Sequence, residues 1–588
     1  VTLTLSNRSG RDDVIDYGVS ADGAVALIDR AAGRVAVRDG ASHTLTFRAA
    51  ARPQVGEGTL TFRATGCGEN RKSIVSLPIR PAVPWRETAG VVSLRPGETW
   101  ASSNACGIGT LPGATRRTVA VSGSPAAELV AAFDYLAEYP HGCLEQTTSR
   151  MFPLIVADDV MARLPSERTS KAAELKDIVA DGIARVTSML RSDDFTMWPD
   201  CNCPPWDREV SLYAAHFLVE ASSAGHAVDR VALGRVRALL KRWAHSADTN
   251  EAAYACHTLA VAGAPEKDRT FALYEIRDRL PLLSRARLAR AFVRLGDPVR
   301  ARALVAESAM NPTGVKESAF ALLALQEMDA NDPRLGKLVA YLQERRDRAR
   351  FHWGTTGDNA HALLALAAYY RLHGMDDGRP SVTLELDGKP LGERLSAGGT
   401  RRFVGGGALT LRNDGGDNAF VSYSCVALPE AASVTNAHRL VTVSRRFVTT
   451  EGLPADLANL TRGELLISEI TLAADRDLEI SDLVVQELLP AGLEPDRPEV
   501  AAAFARARGK GRTDWVLRSD TRDDRTIVFS RPLTLGPEPS GGRPIVFYSA
   551  VRAVTAGDFI LPGVRVEAMY APDIFAQTAP SRISVKKR

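Results

Sequence analysis

The spacing of apolar and polar residues changes period twice along the chain. From Val1 to about residue 80 the two kinds alternate between Gly/Asp turns, as in Val1–Leu5, Ala24–Ile28, Arg34–Arg38, Thr44–Arg48, Thr59–Arg63 and Ser73–Ile79. Strands at this spacing predict a β-sandwich over residues 1–80. Residues 81–123 stay extended and Pro/Gly-punctuated, with further strands in W-R-E-T-A-G-V-V-S-L and R-R-T-V-A-V. At Ser124-Pro125, an N-cap followed by proline at the first helical position, the period becomes helical and stays so to about residue 375. Segments near 125–138, 144–163, 168–191, 207–223, 230–244, 250–263, 267–279, 283–294, 298–309, 315–328, 332–347 and 358–372 read as helices, separated by short breaks such as Gly296-Asp297-Pro298 and Asn331-Asp332-Pro333. About six consecutive helical hairpins fit a toroid of inner and outer helices.

After Gly374 the period returns to two. Residues 376–430 carry strands at Val382–Leu386, Ala408–Arg412 and Phe420–Ala427. Residues 431–588 carry them at Leu440–Val448, Leu465–Leu472, Leu483–Glu487, Arg525–Phe529, Ile545–Ala553 and Gly563–Tyr570, a second sandwich. The pieces 81–123 and 376–430 are each too small to stand alone and fit best as two halves of one sheet domain interrupted by the helices. The expected fold class is therefore multidomain α+β: sandwich, split β domain, helical toroid, sandwich.

Composition adds exclusions. With 588 residues, 45% hydrophobic and 24% charged, the chain reads as several ordinary globular domains. No stretch reaches the ~18 consecutive apolar residues of a membrane span. A net charge of +3, with only short basic clusters such as Arg345-Arg346 and Lys586-Lys587-Arg588, gives nucleic-acid binding no support. The seven cysteines (67, 106, 143, 201, 203, 256 and 425) are sparse and form no C-x-x-C or zinc pattern, so neither metal nor cofactor is expected. A Cys201–Cys203 bond would close a small, strained ring and is not expected; with Trp198 and Trp206 the pair reads as a loop capping the toroid. The acidic pairs Asp193-Asp194, Asp376-Asp377 and Asp523-Asp524 are isolated, so nothing supplies the diphosphate chemistry of other helical toroids. Because the chain opens at Val1 directly into a strand, it is taken as a piece of a longer protein.

The informative stretch is Tyr139-Pro140-His141-Gly142-Cys143-Leu144-Glu145-Gln146-Thr147-Thr148. Cys143 and Gln146, three apart on the first turn of a helix, share a face with Cβ atoms roughly 5–6 Å apart. The Cys143 sulfur attacking the Gln146 side-chain amide and expelling ammonia would close an internal thioester. Gly142 lets the chain enter the turn tightly, and the helix N-terminus favours thiolate and oxyanion. A bare C-x-x-Q is more often a buried structural cysteine. The C-x-E-Q form preceded by P-x-G is much more specific.

This stretch resembles the thioester motif of the α2-macroglobulin and complement family. That motif is usually G-C-G-E-Q, and Leu144 stands here in place of its second glycine. Y-P-x-G-C-L-E-Q is similar to bacterial members, and so is the order of the whole chain. The resemblance implies a macroglobulin-like sandwich (1–80), a CUB-like domain (81–123 and 376–430) split by an α/α-toroid thioester domain (124–375), and a C-terminal macroglobulin-like sandwich of receptor-binding type (431–588). It implies a single-use endopeptidase inhibitor rather than an enzyme. Cleavage of a bait region lying upstream would expose the thioester, and Lys amines or hydroxyls of the attacking protease would be acylated. It also implies a periplasmic protein anchored at the inner membrane, with Gly142 and Glu145 supporting the cross-link. His245 and His257 are the candidates for the imidazole that relays the acyl group to hydroxyls in some relatives. Met569, on the outward face of its strand beside Arg565 and Glu567, is expected to shield the thioester, with Tyr570 as the alternative. Two other classes stay open: a Cys143-dependent hydrolase or transferase with His141 or His257 as base, and a non-covalent interaction scaffold.

Overall fold

The computed structural model describes residues 1–102, 107, 109–124, 129, 142–156, 172–205, 207–346, 353–373, 378–508, 511–537, 545–569 and 571–587. Its first β unit is built on the sheet Ala32–Val37, Asp13–Gly23, Gly56–Gly66, Glu69–Ile79, all antiparallel. Alternation puts Val19, Leu60 and Phe62 on one face, where they meet Val25 and Phe47 from the smaller strand pairs.

The helices are inserted into a second sandwich. One of its sheets runs Thr400–Val404, Thr110–Ser122, Ala419–Pro429, Arg86–Leu94; the other contains Thr99–Ala101, Leu409–Asn413 and Ser381–Leu386. Strands from before and after the helices therefore alternate in the first sheet and share the second, and Val119, Val121, Leu94, Val382, Leu384, Leu411 and Val421 fill one core between them. The chain leaves this sandwich and returns to it at one point. A Cβ on Gly123 would lie within 2.4 Å of the Gly378 carbonyl oxygen, so only glycine permits the approach.

The helical part alternates between two kinds of helix. In chain order they are α1 (Leu144–Val156), α2 (Ala172–Ser188), α3 (Arg208–Ser223), α4 (Arg230–Ala244), α5 (Thr249–Val261), α6 (Lys267–Glu275), α7 (Leu282–Arg294), α8 (Pro298–Met310), α9 (Val315–Met328), α10 (Leu335–Arg345) and α11 (Thr356–His373). Each odd-numbered helix packs on the next odd one, and α11 packs back on α1, so six of them close a ring. The even-numbered helices lie outside it. Sequence separates the two sets. The ring helices are buried on nearly every side, as in α5 from Ala252 to Ala260, whereas α4 buries one stripe of Ala232, Val236, Leu239, Leu240 and Trp243. The expected helix at 125–138 falls almost wholly outside the described residues. No described helix is long and apolar enough to cross a membrane.

The C-terminal sandwich pairs a six-stranded sheet (Ala437–Arg439, Ala571–Gln577, Val564–Ala568, Leu483–Leu488, Arg525–Ser530, Val516–Arg522) with a four-stranded one (Val441–Thr449, Leu465–Ala474, Ile545–Ala553, Leu493–Pro495). It also contains a helix, α12 (Pro498–Arg508), that the alternation reading passes over as β. Pro498 at its first position and the run Ala501-Ala502-Ala503 are ordinary helix signals.

The centre of the ring is aromatic and holds imidazoles. His216 Nε2 lies 3.3 Å from His257 Nε2, and its Nδ1 lies 3.2 Å from the Tyr254 hydroxyl. Phe320 and Phe152 pack around these rings, with His361 against Tyr213. Burial pushes the pKa values of His216, His257 and His361 down, helped at His257 by the neighbouring imidazole. His257 and His361, pushed furthest down, are neutral when folded and gain protons only on unfolding, so stability is lost as pH falls below about 6.5. For His257 the linkage between pH 7 and 5 is on the order of 2 kcal/mol. Urea unfolding of His257→Gln should therefore lose less stability over that interval than the parent, by about that amount.

Candidate functional site

Cys143 and Gln146 stand at the start of α1, both wholly buried. The turn is held by backbone groups: Thr147 N–H donates to the Cys143 carbonyl at 2.9 Å, and Leu144 N–H donates to the Met197 carbonyl at 2.9 Å. Arg185, on α2, donates through Nη2 and Nε to the Gly142 carbonyl at 2.7 and 3.2 Å. Its guanidinium lies against the α-carbon of Gly142, and a Cβ there would come within 2.8 Å of Nη2. A side chain at this position would push the guanidinium aside, so glycine lets Arg185 close on the turn. Glu145 points the other way, to the first turn of α11. There Thr356 donates to both carboxylate oxygens at 2.8 Å, and Ser149 adds a bond at 2.8 Å.

Gln146 has an unusual setting for an amide. Its Nε2 donates only to the Met569 thioether, at 3.0 Å, and its Oε1 is buried without a hydrogen-bond partner. Met569 comes from the C-terminal sandwich, one residue past the strand Val564–Ala568. The alternation there is as read: Val564, Val566 and Ala568 enter the sandwich core while Arg565 stays exposed. Met569 is nevertheless buried, because the face it occupies is covered by the helical ring. Tyr570 lies outside the described residues.

The same covered face carries Val484, Phe529, Leu517 and Ile527 against the ring's apolar cluster. Phe529 packs on Trp198 at 5.2 Å between centroids, Arg518 stacks over Trp198 at 5.7 Å, and Arg518 pairs with Asp200. Trp198 is thus a docking residue rather than a loop cap, and Trp206 lies outside the described residues. Asp482 is also here. It is largely buried, its carbonyl accepts from Met569 N–H at 2.9 Å, and its Oδ1 has no hydrogen-bond partner. Burial, reinforced by the Glu145 carboxylate facing it across the contact, pushes its pKa up to about 7. In the sequence Asp482 reads as a strand-edge turn residue, and nothing there marks it as facing another acid.

Several candidates fall elsewhere. His245 ends α4, is two-thirds exposed, and has Glu266 at 4.0 Å as its charged neighbour. His257 sits at the centre of the ring, with Nε2 on His216 and Nδ1 unpartnered. Neither imidazole is bonded to Cys143 or Gln146 among the described contacts, and His141 lies outside the described residues. Cys201 and Cys203, expected to be unpaired, form a disulfide with their Cα atoms 5.3 Å apart. The tight bend of the Cys201-Asn202-Cys203 segment brings the sulfurs together where an extended chain would not. Cys256 is a buried thiol whose pKa burial pushes up to about 11, which leaves it inert at neutral pH.

Comparison with known proteins bears on this arrangement. Residues 441–573 match the family described as the bacterial α2-macroglobulin MG10 domain. The chain aligns over 97% of its length, at 23% identity, with the α2-macroglobulin of Escherichia coli, and over all of it, at 25%, with that of Xylella fastidiosa. The chain is similar along its whole length to the bacterial α2-macroglobulins. It spans 36% and 37% of those two proteins, about a third of the length of the curated relatives it matches. The fold agrees. The native E. coli protein superposes with a TM-score of 0.79 at 21% identity, over 100% of this chain and 38% of that one. A crystal structure running from domain MG7 to the C-terminus of the E. coli protein gives 0.81 at 22%, over 100% and 96%. Salmonella α2-macroglobulin reacted with methylamine gives 0.77 at 23%, over 100% and 39%.

The buried acid at the docking face makes stability depend on pH in a definite direction. The folded pKa of Asp482, about 7, lies above the ordinary 3.8, so the folded state holds the proton more tightly. Stability therefore falls as pH rises from about 4 to about 7 and is flat above. Asp482→Asn should stabilise the protein by on the order of 2–4 kcal/mol at pH 8 and hardly at all at pH 4. Denaturant unfolding at the two pH values measures the difference.

Proposed function

We propose that this chain carries the reactive part of a protease inhibitor, an internal Cys143–Gln146 thioester that acylates an attacking protease once it is uncovered. The carrying observation is the environment of Gln146. An amide buried with a thioether as its only hydrogen-bond partner and an unpaired carbonyl oxygen loses on the order of 1–3 kcal/mol per unmet group. A thioester has no N–H to satisfy and is a weaker acceptor, so this pocket suits the cross-linked form better than the amide. Homology to the bacterial α2-macroglobulins supports the protease-inhibitor family, and the C-L-E-Q stretch supplies nucleophile and acyl group three residues apart.

The chemistry needs no cofactor. The Gln146 acyl carbon is the electrophile and Cys143 the leaving thiolate; a Lys amine of the protease gives an amide, and water wastes the group. Met569, with the sandwich face behind it, is the shield that keeps water out. A group this reactive toward thiols and amines belongs outside the cytoplasm, and we place the full-length protein in the periplasm, anchored at the inner membrane.

Intact mass should be one ammonia below that of the encoded chain, and methylamine should release one thiol, at Cys143. Cys143→Ala should not couple to amines at all, and Gln146→Glu should not either, since a carboxylate does not condense unaided with a thiol. Residual amine incorporation by either variant would reject the assignment. Met569→Ala should leave the thioester able to form but shorten its lifetime in water roughly fivefold or more, the effect of about 1 kcal/mol of lost shielding. An unchanged lifetime would remove Met569 from the shield.

A further inference from the structure

The Cys201–Cys203 disulfide lies in the segment that joins both halves of the site. Two residues of extended chain reach roughly 7 Å, whereas these Cα atoms are 5.3 Å apart, so the bond holds the chain in a bend. From that bend two lines of contact run. Inward, the Cys203 carbonyl accepts from Met197 N–H at 2.8 Å, and the Met197 carbonyl accepts from Leu144 N–H at 2.9 Å, the residue after Cys143. Outward, Trp198 packs on Phe529, and Asp200 pairs with Arg518 on the C-terminal sandwich. The bend thus fixes the first turn of α1 and the docking of the sandwich at once. Both cysteines are only half-buried and flank the exposed Asn202, so a reductant can reach them.

We propose that the Cys201–Cys203 bond is a redox clasp on the thioester site: opening it relaxes the 195–203 segment, loosens the sandwich from the ring, and uncovers Gln146. The clasp rests on the reading of Cys143 and Gln146 as a thioester. A dithiol reductant supplies two electrons and two protons. The S–S bond breaks, Cys201 and Cys203 each gain a proton as thiols, and the reductant leaves as its own disulfide. In an oxidising compartment the clasp is shut and the acyl group covered. In a reducing one the shield does not hold.

The experiment reduces the whole chain with tris(2-carboxyethyl)phosphine, which becomes its oxide by taking the oxygen of water while the two hydrogens go to the sulfurs. Unlike a thiol, it does not itself attack a thioester. Methylamine incorporation is followed by intact mass, and amide exchange over residues 142–150 and 525–530 by mass spectrometry. Cys425 is also disulfide-bonded, so the double variant Cys201→Ser/Cys203→Ser isolates the clasp. Reduced parent and unreduced variant should both take up methylamine and exchange those amides roughly fivefold or more faster than the oxidised parent, with no further change when the variant is treated with phosphine. If alkylation shows Cys201 and Cys203 opened while uptake and exchange keep the oxidised parent's rates, the clasp is rejected. The same follows if the parent loosens on reduction but the variant keeps the parent's oxidised rates, because Cys425 would then be the cause. If no sample takes up methylamine, the thioester reading fails, and amide exchange alone still decides whether the bond controls docking.

Discussion

The first turn of α1 is kept dry by one contact, between the rim of the helical ring and the edge-on face of the C-terminal sandwich. The ring alone covers Cys143 and Gln146 on one side, through Met197, Leu144 and Arg185. The other side is closed by residues more than three hundred positions later, Met569 above all. Burial of Gln146 is therefore a property of the docked pair of domains rather than of either domain.

The contact is built to a limited strength. Its apolar part is small, Trp198 on Phe529 with Met569, Val484, Leu517 and Ile527 around them. Its ion pair, Arg518 with Asp200, sits on an exposed rim, where such pairs contribute about 0–1 kcal/mol. Against these works Asp482, an acid with an unpaired oxygen facing Glu145. An adaptable Met and a tilted aromatic pair fill the face without the many interlocking contacts of a permanent interface. Under the proposed function the cover must hold and later release, which suits this balance; a fully apolar face in place of Asp482 would hold more tightly at the expense of release.

Much of this was legible in the sequence because it depends on local patterns. The two changes of period marked the helical insertion, and Y-P-x-G-C-L-E-Q marked the turn with its glycine. The position of Met569 was legible for a subtler reason: a large apolar residue on the polar phase of an alternating strand needs something to cover it. What stayed hidden depends on pairings between distant segments. Asp482 looks like any acid before a strand until α1 brings Glu145 opposite it. The Cys201–Cys203 bond was set aside on ring size, which describes an extended chain and not the bend that Met197 and Cys203 share. His245 was favoured for its place after α4, yet the α/α alternation puts α4 outside the ring, and its C-terminal cap faces solvent. The helix Pro498–Arg508 was overlooked although its signals were local, since its strand-rich neighbours outweighed an alanine run.

The insertion point explains how such a cover can be released without unfolding what it covers. The ring closes α11 onto α1, and the C-terminal sandwich adds only Val484, Phe529, Met569, Leu517 and Ile527 to its apolar cluster. The ring joins the split β domain where Gly123 and Gly378 touch, a neck only two chain segments wide. Separating the ring from the sandwich would break the contacts of Met569, Phe529 and Arg518, none of which is a contact between helices. The exposed turn would still be held from within by Arg185 on the Gly142 carbonyl and Met197 on Leu144 N–H. In the proposed thioester, an acyl group uncovered in this way would keep its geometry while gaining access to solvent, and a nearby amine would compete with water by being held close.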